Sequence, residues 1–399
     1  MENKNRGKKT IYYIGNIGYK NTAMAIHVRN LGYLFKKLNY DVIFFCENWN
    51  DNCRYSSDED FTYFYTNKYL NISKLSALEW LYESLTGTKL YNLVYKKVKL
   101  KKPDFIILYG YEGEKKLIDL CKQENIPIIL ERCDWFEKED RVGFLYKNFI
   151  HYISEFSIQK LDIKADGIIA ISKYLRDYYQ NKGKKVEFIP PIFKIDPMFK
   201  IERYYNNDNS VHLVYAGSMG GYKDQTLLVL EVLKEINKQE IKIFLDIVGT
   251  SMEEIEKITE CKVWNRYGVK AYGRLSNEDT KKIVRRADFS LLLRQNKRYA
   301  KAGFSTKFAE SMCLGVPVIC TKVGGSDSVI THMKDGIHLI DNSYETILSV
   351  LKEILKMDCE KILEIKNNAF LTAQKLFSLE VNIEKMANFL EIIKDKREN

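Results

Sequence analysis

The sequence Ala302-Gly-Phe-Ser-Thr-Lys-Phe-Ala-Glu310-Ser-Met-Cys-Leu-Gly315-Val-Pro317-Val-Ile-Cys320 carries much of the chemical information in this chain. It predicts a turn, a short helix with one carboxylate, and a Gly-x-Pro break before an apolar strand. Unpaired N–H groups at a helix start can bind a diphosphate. A carboxylate one turn later, Glu310, can accept hydrogen bonds from the vicinal hydroxyls of a ribose. The stretch therefore predicts a nucleotide-sugar site.

Short apolar runs alternate with helical patterns along the whole 399-residue chain. This alternation is typical of parallel sheets joined by crossover helices. In the first half, the sequence predicts strands near 10–14, 41–46, 104–109, 126–131, 167–171 and 185–189, with helices at 22–38, 73–100, 114–124, 142–164 and 173–181. In the second half, it predicts strands near 211–216, 241–248, 268–272, 288–293, 316–320 and 337–340. The predicted fold class is α/β, with two doubly wound halves.

The boundary between the halves is marked by composition. Three of the six prolines lie between 189 and 197, and a polar, turn-rich segment follows at 204–210. These features predict a linker at 193–210, because proline and polar turn residues interrupt regular structure. The N-terminal domain is then 1–192 and the C-terminal domain 211–375, with a last helical segment at 376–399.

Composition limits the class of protein. The sequence contains 45% hydrophobic residues but no uninterrupted apolar run of about 18 residues, so a transmembrane helix is not expected. The N-terminus lacks the apolar region of a signal peptide, which predicts a cytoplasmic protein. The eight cysteines show no C-x-x-C spacing, which favours free thiols in a reducing compartment.

The net charge of +10 includes one cluster of lysines, at positions 96, 97, 99, 101 and 102. Such a cluster can contact anionic lipid headgroups, here at the inner face of the membrane, or can simply be the solvated end of a helix. No nucleic-acid-binding motif accompanies the charge, so a nucleic-acid partner is not expected.

A glycine-containing loop follows the first strand of each half. Gly15-Asn-Ile-Gly18 precedes a helix, and Gly217-Ser218 precedes Lys223. Glycine allows a close approach between backbone and ligand, and open α/β sheets bind ligands at this edge. A fixed ammonium at Lys223 would stabilise a departing diphosphate. The alternatives are turns that need glycine only for geometry and a solvated lysine.

The segment around Glu310 resembles the E-x7-E region of the family-4 retaining glycosyltransferases, which belong to glycosyl transferases group 1. Gly303-Phe304 matches the Gly-Phe of that family, and Glu310 matches its second glutamate. The first glutamate falls on Ala302, and Ser218 takes the place of an arginine. The resemblance implies the GT-B fold, in which two Rossmann-like domains face a central cleft and the last helix crosses back to the first domain.

The resemblance also implies roles for individual residues. Asp134, at the end of a strand and next to Glu131 and Arg132, matches the acidic position near the donor sugar and acceptor; a helix N-cap is the alternative. The implied catalytic residues are Asp134, Lys223 and Glu310. Lys307 and Arg294 are the candidates for the second cation. The implied donor-binding residues are Gly15, Gly18, Gly217, Ser218, Lys223, Arg294, Gly303, Phe304, Ser305, Thr306, Lys307 and Glu310.

The activity implied by this resemblance is retaining transfer of a sugar from an NDP-sugar, most often UDP-linked, to a glycan or lipid-linked acceptor. Neither a metal nor a further cofactor is expected, because Asp58-Glu-Asp60, formally a D-x-D metal motif, lies in a polar run that predicts a solvated loop. Two alternatives remain open: a catalytically silent nucleotide-sugar-binding subunit, for which Ala302 and Ser218 argue, and a GT-B nucleotide-sugar epimerase.

Overall fold

The computed structural model of this chain describes most of its residues. The described ranges are 8–15, 22–46, 55–66, 82–83, 86–110, 113–141, 143–205, 210–219, 224–323 and 325–398. The chain divides into two compact units. Unit 1 comprises residues 1–190 and 382–399, and unit 2 comprises 191–381. Each unit is built around its own sheet.

The sheet of unit 1 has the order β3-β4-β2-β1-β5-β6-β7-β8 among the described residues. Its strands are β1 (Lys9–Gly15), β2 (Tyr40–Cys46), β3 (Tyr55–Ser57), β4 (Thr62–Tyr65), β5 (Phe105–Tyr109), β6 (Ile128–Arg132), β7 (Gly167–Ala170) and β8 (Val186–Phe188). All neighbouring pairs are parallel except β3 and β4, which form an antiparallel edge. The central strands are buried on both faces, as parallel strands covered by helices are.

Crossover helices connect the strands of unit 1. They are α1 (Ala23–Lys37), α2 (Thr88–Leu100), α3 (Glu114–Gln123), α4 (His151–Phe156) and α5 (Lys173–Asn181). Wider π-helical turns at Tyr146–Ile150 and Ser157–Leu161 flank α4. The Ser172 side chain accepts a hydrogen bond from Leu175 N at the start of α5, which makes this serine a helix cap.

The sheet of unit 2 is parallel throughout, in the order β11-β10-β9-β12-β13-β14. Its strands are β9 (Val211–Ala216), β10 (Ile243–Val248), β11 (Val269–Ala271), β12 (Phe289–Leu292), β13 (Val318–Thr321) and β14 (Ile337–Leu339). Its helices are α6 (Leu227–Ile236), α7 (Met252–Thr259), α8 (Asn277–Arg286), α9 (Arg298–Ala302), α10 (Thr306–Cys313), α11 (Tyr344–Ile354) and α12 (Cys359–Phe377). Two parallel sheets with helices confirm the predicted fold class.

The segment 193–210, which the sequence predicts to be a linker, belongs to unit 2 and is attached to it by buried contacts. The guanidinium of Arg203 is buried and binds the carboxylate of Asp288, with Nε and Oδ1 2.9 Å apart, and it also donates to Ser210 O at 2.7 Å. Asp288 in turn accepts from the backbone N–H of His212 at 2.9 Å. These contacts attach the segment to the start of β9.

The last helix, α13 (Leu379–Glu398), begins in unit 2 and continues in unit 1. Its Phe389 and Ile393 pack against Gly167 in β7. A Cβ at residue 167 would lie 2.6 Å from Ile393 Cδ1 and 2.7 Å from Phe389 Cζ, so the helix fits here because this residue is glycine. Phe389 and Ile393 are therefore part of the core of unit 1.

Candidate functional site

In unit 2, the backbone of Gly217 and Ser218 follows β9 at the carboxyl edge of the sheet. Gly217 N donates to Val248 O at 2.7 Å, and Met219 N donates to the hydroxyl of Thr250 at 2.7 Å. The turn is thereby attached to the end of β10. A Cβ at residue 217 would lie 2.1 Å from the ammonium nitrogen of Lys307. A side chain at this residue would therefore displace the ammonium from its place over the backbone.

Two cations meet at one buried carboxylate beside this turn. Asp224 Oδ2 accepts from Lys307 Nζ at 2.9 Å, and its Oδ1 accepts from Arg294 Nε at 3.0 Å. The hydroxyl of Tyr215 also donates to Asp224, at 3.1 Å. Burial alone would raise the pKa of Asp224, but Lys307 and Arg294 lower it to about 2. The carboxylate is ionised at neutral pH, and the group carries a net charge of one cation.

The side chains of both cations remain accessible to a ligand. That of Lys307 is 36% exposed and that of Arg294 13%, whereas Asp224 is only 6% exposed. Arg294 is held further by Thr321, whose hydroxyl accepts from Arg294 N at 3.0 Å and donates to Arg294 O. An anion above Gly217 would therefore meet two positioned donors.

Helix α10 starts beside these cations. Ser305 is its N-cap and accepts a hydrogen bond from Phe308 N at 3.4 Å, and Thr306 is the first helical residue. Gly303 ends α9, and Phe304 is buried against Phe308 and Phe377. Phe304 thus contributes to packing, and Lys307 is the side chain of this segment that reaches the cation pair.

Glu310 lies one helical turn further along, half-buried, in a different environment. The pKa of Glu310 is raised, because the effect of burial exceeds the opposing effect of the nearby Lys281 ammonium. Its side chain lines a cavity of about 200 Å³ together with Asp196, Lys281 and Arg285. Within the described parts of the chain, its carboxylate makes no hydrogen bond or ion pair. The structure does not connect Glu310 to the cations through shared contacts.

Two of the sequence-predicted residues, Gly18 and Lys223, lie outside the described residues. Ala302 is fully buried, so the position of the missing glutamate belongs to the apolar interior. Gly15 has a packing reason to be glycine, because a Cβ there would lie 2.1 Å from the carbonyl oxygen of Tyr109.

In unit 1, the ends of β1 and β6 and helix α1 bring a second polar group together. The hydroxyl of Tyr13 donates to Glu131 Oε2, and His27 Nε2 lies 2.5 Å from Glu131 Oε1. The Cys133 thiol donates to the same Oε1 at 3.4 Å. Burial raises the pKa of Glu131 to about 8 and lowers the pKa of His27 to about 4. At neutral pH this group therefore holds the Glu131 proton and is uncharged.

The ligand atoms of His27, Glu131 and Cys133 lie within 4.8 Å of one another, a donor set that zinc accepts. However, ligands at about 2.0–2.1 Å from a tetrahedral ion are about 3.3 Å apart. The contact of 2.5 Å between His27 and Glu131 is a hydrogen bond, so these residues form a hydrogen-bonded cluster as they stand.

Asp134 lies beside this cluster and lines a cavity of about 50 Å³ with Tyr109, Gly110 and Cys133. It is half-buried in an extended loop, and no helix starts at this point, so the N-cap alternative is wrong. Its neighbour Arg132 is turned into the interior, where it donates to Asp162 at 2.6 and 2.8 Å and to Glu114 at 2.9 Å. Arg132 therefore has a structural role.

The D-x-D sequence is accounted for by contacts within unit 1. Asp58 accepts from Arg29 at 2.6 Å, and Asp60 accepts from Tyr33 and Lys36. The two carboxylates connect the turn between β3 and β4 to α1. This turn is a paired structural element and not the freely solvated loop that the sequence predicts.

Comparison with known proteins agrees with this arrangement. Residues 199–372 match the family model of Glycosyl transferases group 1. The C-terminal domain of the chain, within residues 199–372, is similar to that family. This domain contains Asp224, Arg294 and Lys307, and its match confirms the resemblance to group 1 that the sequence predicts.

Proteins similar to this chain include an uncharacterized glycosyltransferase of Methanocaldococcus jannaschii, 25% identical over 228 residues. That alignment covers 54% of this chain and spans 57% of the relative's length. Among solved structures, sucrose-phosphate synthase from Thermosynechococcus elongatus is similar with a TM-score of 0.77 at 15% identity, covering 97% of this chain and 100% of that one. The Anabaena HepE protein in complex with UDP and glucose has a TM-score of 0.66 at 13% identity, covering 96% and 99%. These likenesses confirm the GT-B fold.

Asp224 is a residue of the C-terminal domain that the sequence did not predict. The signal was an acid directly after Lys223, at the end of a glycine-rich loop. Two lone cations predicted on separate segments, Arg294 and Lys307, need a common anion to hold them together when partly buried. No helix in the described part of the chain combines the length and apolarity required to cross a membrane.

Proposed function

We propose that this protein is a retaining glycosyltransferase of the family-4 type. In this proposal it transfers a sugar from an NDP-sugar, namely a UDP-sugar, to a glycan or lipid-linked acceptor of the cell surface. The observation that carries the proposal is the meeting of Lys307 and Arg294 at Asp224, directly over the Gly217 backbone. A diphosphate placed there would receive charge-assisted hydrogen bonds.

The chemistry assigned to these residues is stabilisation of the leaving group. Negative charge grows on the diphosphate as the sugar departs, and positioned cations stabilise that charge more than the ground state. Because Lys307 and Arg294 are fixed by Asp224, they need no reorganisation during the reaction. We propose that these cations replace a metal ion; turnover that is abolished by EDTA would contradict this part.

Three further assignments belong to the proposal. Glu310 holds the ribose hydroxyls, and Asp134 in unit 1 contacts the acceptor or donor sugar. Lys223 and Gly18 complete the donor site. The proposal is supported by the carboxylate of Glu310, which makes no hydrogen bond or ion pair with any residue that the structure describes, and by the similar HepE structure, which contains UDP and glucose. Retention is tested by the anomeric configuration of the product, measured by NMR.

The decisive experiment is a thermal-shift panel with UDP, GDP, ADP and their sugars, because a ligand of the native state raises the melting temperature. Lys307→Ala should weaken binding of the accepted nucleotide by about tenfold to a hundredfold, since a charge-assisted hydrogen bond is lost. Gly217→Ala should have a similar effect, because the new methyl group occupies the place of the ammonium.

The matched control is Lys301→Ala, which removes an exposed lysine from the neighbouring helix α9. It should bind nucleotide as the native protein does. Equal affinities of the Lys307 and Lys301 variants, or no shift with any nucleotide, would overturn the proposed donor site. Nucleotide binding without turnover on a broad acceptor panel would instead indicate the silent subunit.

A further inference from the structure

The exposed side of the helical segment 143–164 in unit 1 carries a row of aromatic side chains. Phe144 is 74% exposed, Phe149 39%, Tyr152 55% and Phe156 55%. A single exposed aromatic residue is ordinary, but contiguous ones mark an interaction surface. We call these four residues the aromatic face.

The backbone geometry places the four residues on one side. Phe144 precedes the wide π-helical turn at Tyr146–Ile150, in which hydrogen bonds join residues five apart, so Phe149 follows Phe144 by about one turn. Tyr152 and Phe156 follow Phe149 at spacings of three and seven, as on one side of an α-helix. Residues of the opposite side, among them Ser154, Ile158 and Leu161, are buried against unit 1.

Within this helical segment, the charged residues that are exposed are all positive. The exposed charged residues of the segment are Lys147, Lys160 and Lys164. Its two acids are less exposed: Glu155 is half-buried and accepts from Trp135 Nε1 at 2.7 Å and from Gln159 Nε2 at 2.8 Å, and Asp162 is buried against Arg132. Outside the segment, the ammonium of Lys138 lies 5.3 Å from the centre of the Tyr152 ring.

We propose that the aromatic face binds the surface of a membrane that contains anionic lipids. Phenylalanine and tyrosine rings on one side of a helix insert into the boundary between headgroups and acyl chains, and flanking lysines are attracted to negative headgroups. This inference rests on the proposed function in one respect, because a lipid-linked acceptor would be reached at that surface.

The exposed charges favour an anionic membrane as the partner of the aromatic face. A planar surface that is negative outside and apolar beneath complements a row of exposed rings flanked by the exposed lysines 147, 160 and 164. The lysine cluster at 96–102 fits less well, because Lys99 and Lys102 bind Glu124 at 2.5 and 2.8 Å and Lys97 lies over the ring of Phe64.

The test is flotation of the full-length protein with phosphatidylcholine vesicles that contain or lack phosphatidylglycerol. The native protein should float with the anionic vesicles. The double variant Phe144→Ser/Phe156→Ser should bind them about tenfold or more weakly, because two apolar side chains no longer insert. Lys147→Glu/Lys160→Glu should remove the preference for phosphatidylglycerol.

The control variant is Leu371→Ser, which replaces a residue of similar exposure, 50%, in unit 2 and should float normally. Melting temperature and nucleotide shifts report that each variant is folded, and they separate failure of this inference from failure of the donor site. The inference is overturned if the native protein stays with the soluble fraction, or if the Phe144/Phe156 variant floats equally well. It is also overturned if these phenylalanines instead mediate a dimer in light scattering or bind single-stranded RNA without vesicle binding.

Discussion

Glu131 shows how burial sets the chemistry of a single residue. Its carboxyl group is 2% exposed and is surrounded by Tyr13, His27 and Cys133, none of which carries a positive charge at neutral pH. The neighbouring cation, Arg132, is directed towards Asp162 and Glu114. Removal of the Glu131 proton therefore places an uncompensated charge in the interior, which is unfavourable.

This environment predicts a dependence of stability on pH. Burial raises the pKa of Glu131 from 4.5 to about 8 in the folded protein, so the unfolded chain releases this proton first and stability falls as pH rises between those values. The pKa of His27, lowered from 6.5 to about 4, acts in the opposite direction below pH 6.5. Between pH 6.5 and 8 the effect of Glu131 remains, with a loss of about 1–2 kcal/mol.

Urea unfolding of the native protein and of Glu131→Gln across this pH range measures the effect. The glutamine keeps the hydrogen-bonding shape but cannot ionise, so its stability should vary less with pH. Other groups that titrate here affect both proteins alike. Parallel pH profiles of the two proteins would show that Glu131 does not hold a proton in this range.

The sequence predicts some residues of the donor site and misses others for a physical reason. Lys307 and Arg294 were identifiable because they sit at a helix start and a strand end, positions that local patterns define. Asp224 was missed because its importance comes from contacts with residues 70 and 83 positions away. Likewise, no local signal in the sequence pairs Tyr13 with Glu131 across 118 residues.

At the scale of elements, the strands of both sheets follow from their apolar runs. The predicted strands 10–14, 41–46 and 211–216 agree with β1, β2 and β9 within one residue at each end. The strands β3 and β4, at one side of the sheet, were not predicted because they are short. β4 is held by pairing with β2, β3 by pairing with β4, and the turn between them by the bond between Arg29 and Asp58. Edge strands depend on neighbours more than on their own composition.

The end of β1 offers a test of how closely two strands are packed. A Cβ at residue 15 would lie 2.1 Å from the carbonyl oxygen of Tyr109 and 3.0 Å from its carbon, and both are backbone atoms that cannot rotate away. Gly15→Ala should therefore lower the free energy of unfolding by about 3 kcal/mol. Urea unfolding of the purified variant measures this loss.

Gly183→Ala is the matched control. Gly183 has a φ of +74° but no atom within 4 Å of the added Cβ, so only backbone strain of about 1 kcal/mol is expected. Similar losses in the two variants would mean that conformation rather than the approach of Tyr109 requires glycine at residue 15.

At the scale of the molecule, the chain order does not coincide with the two units. Residues 382–399 come last in the sequence but belong to unit 1, whereas 191–205 come before β9 and are attached to unit 2. Composition could place a boundary near the prolines, yet it could not assign the flanking segments. The unit to which each flanking segment belongs depends on tertiary contacts. Examples are the packing of the last helix against Gly167, which has no side chain, and the buried ion pair between Arg203 and Asp288.

The division of α13 predicts a selective effect of truncation. A chain that ends at Val381 loses the buried side chains of Met386, Phe389, Leu390 and Ile393, which belong to unit 1. Hydrogen exchange with mass spectrometry should then show loss of protection in β7 and in its neighbours β6 and β8. The strands of unit 2 should keep their protection, because residues 191–381 retain their own core.

A chain that ends at Asp395 is the control, since it retains all four of these buried side chains, and it should exchange as the full-length protein does. If the strands of unit 2 lost protection to the same extent in the chain that ends at Val381, the two sheets would unfold as one cooperative body. In that case the last helix would stabilise the whole molecule. Selective loss in unit 1 would instead mean that its apolar surface next to β7 is completed only when the final turns of the chain are in place.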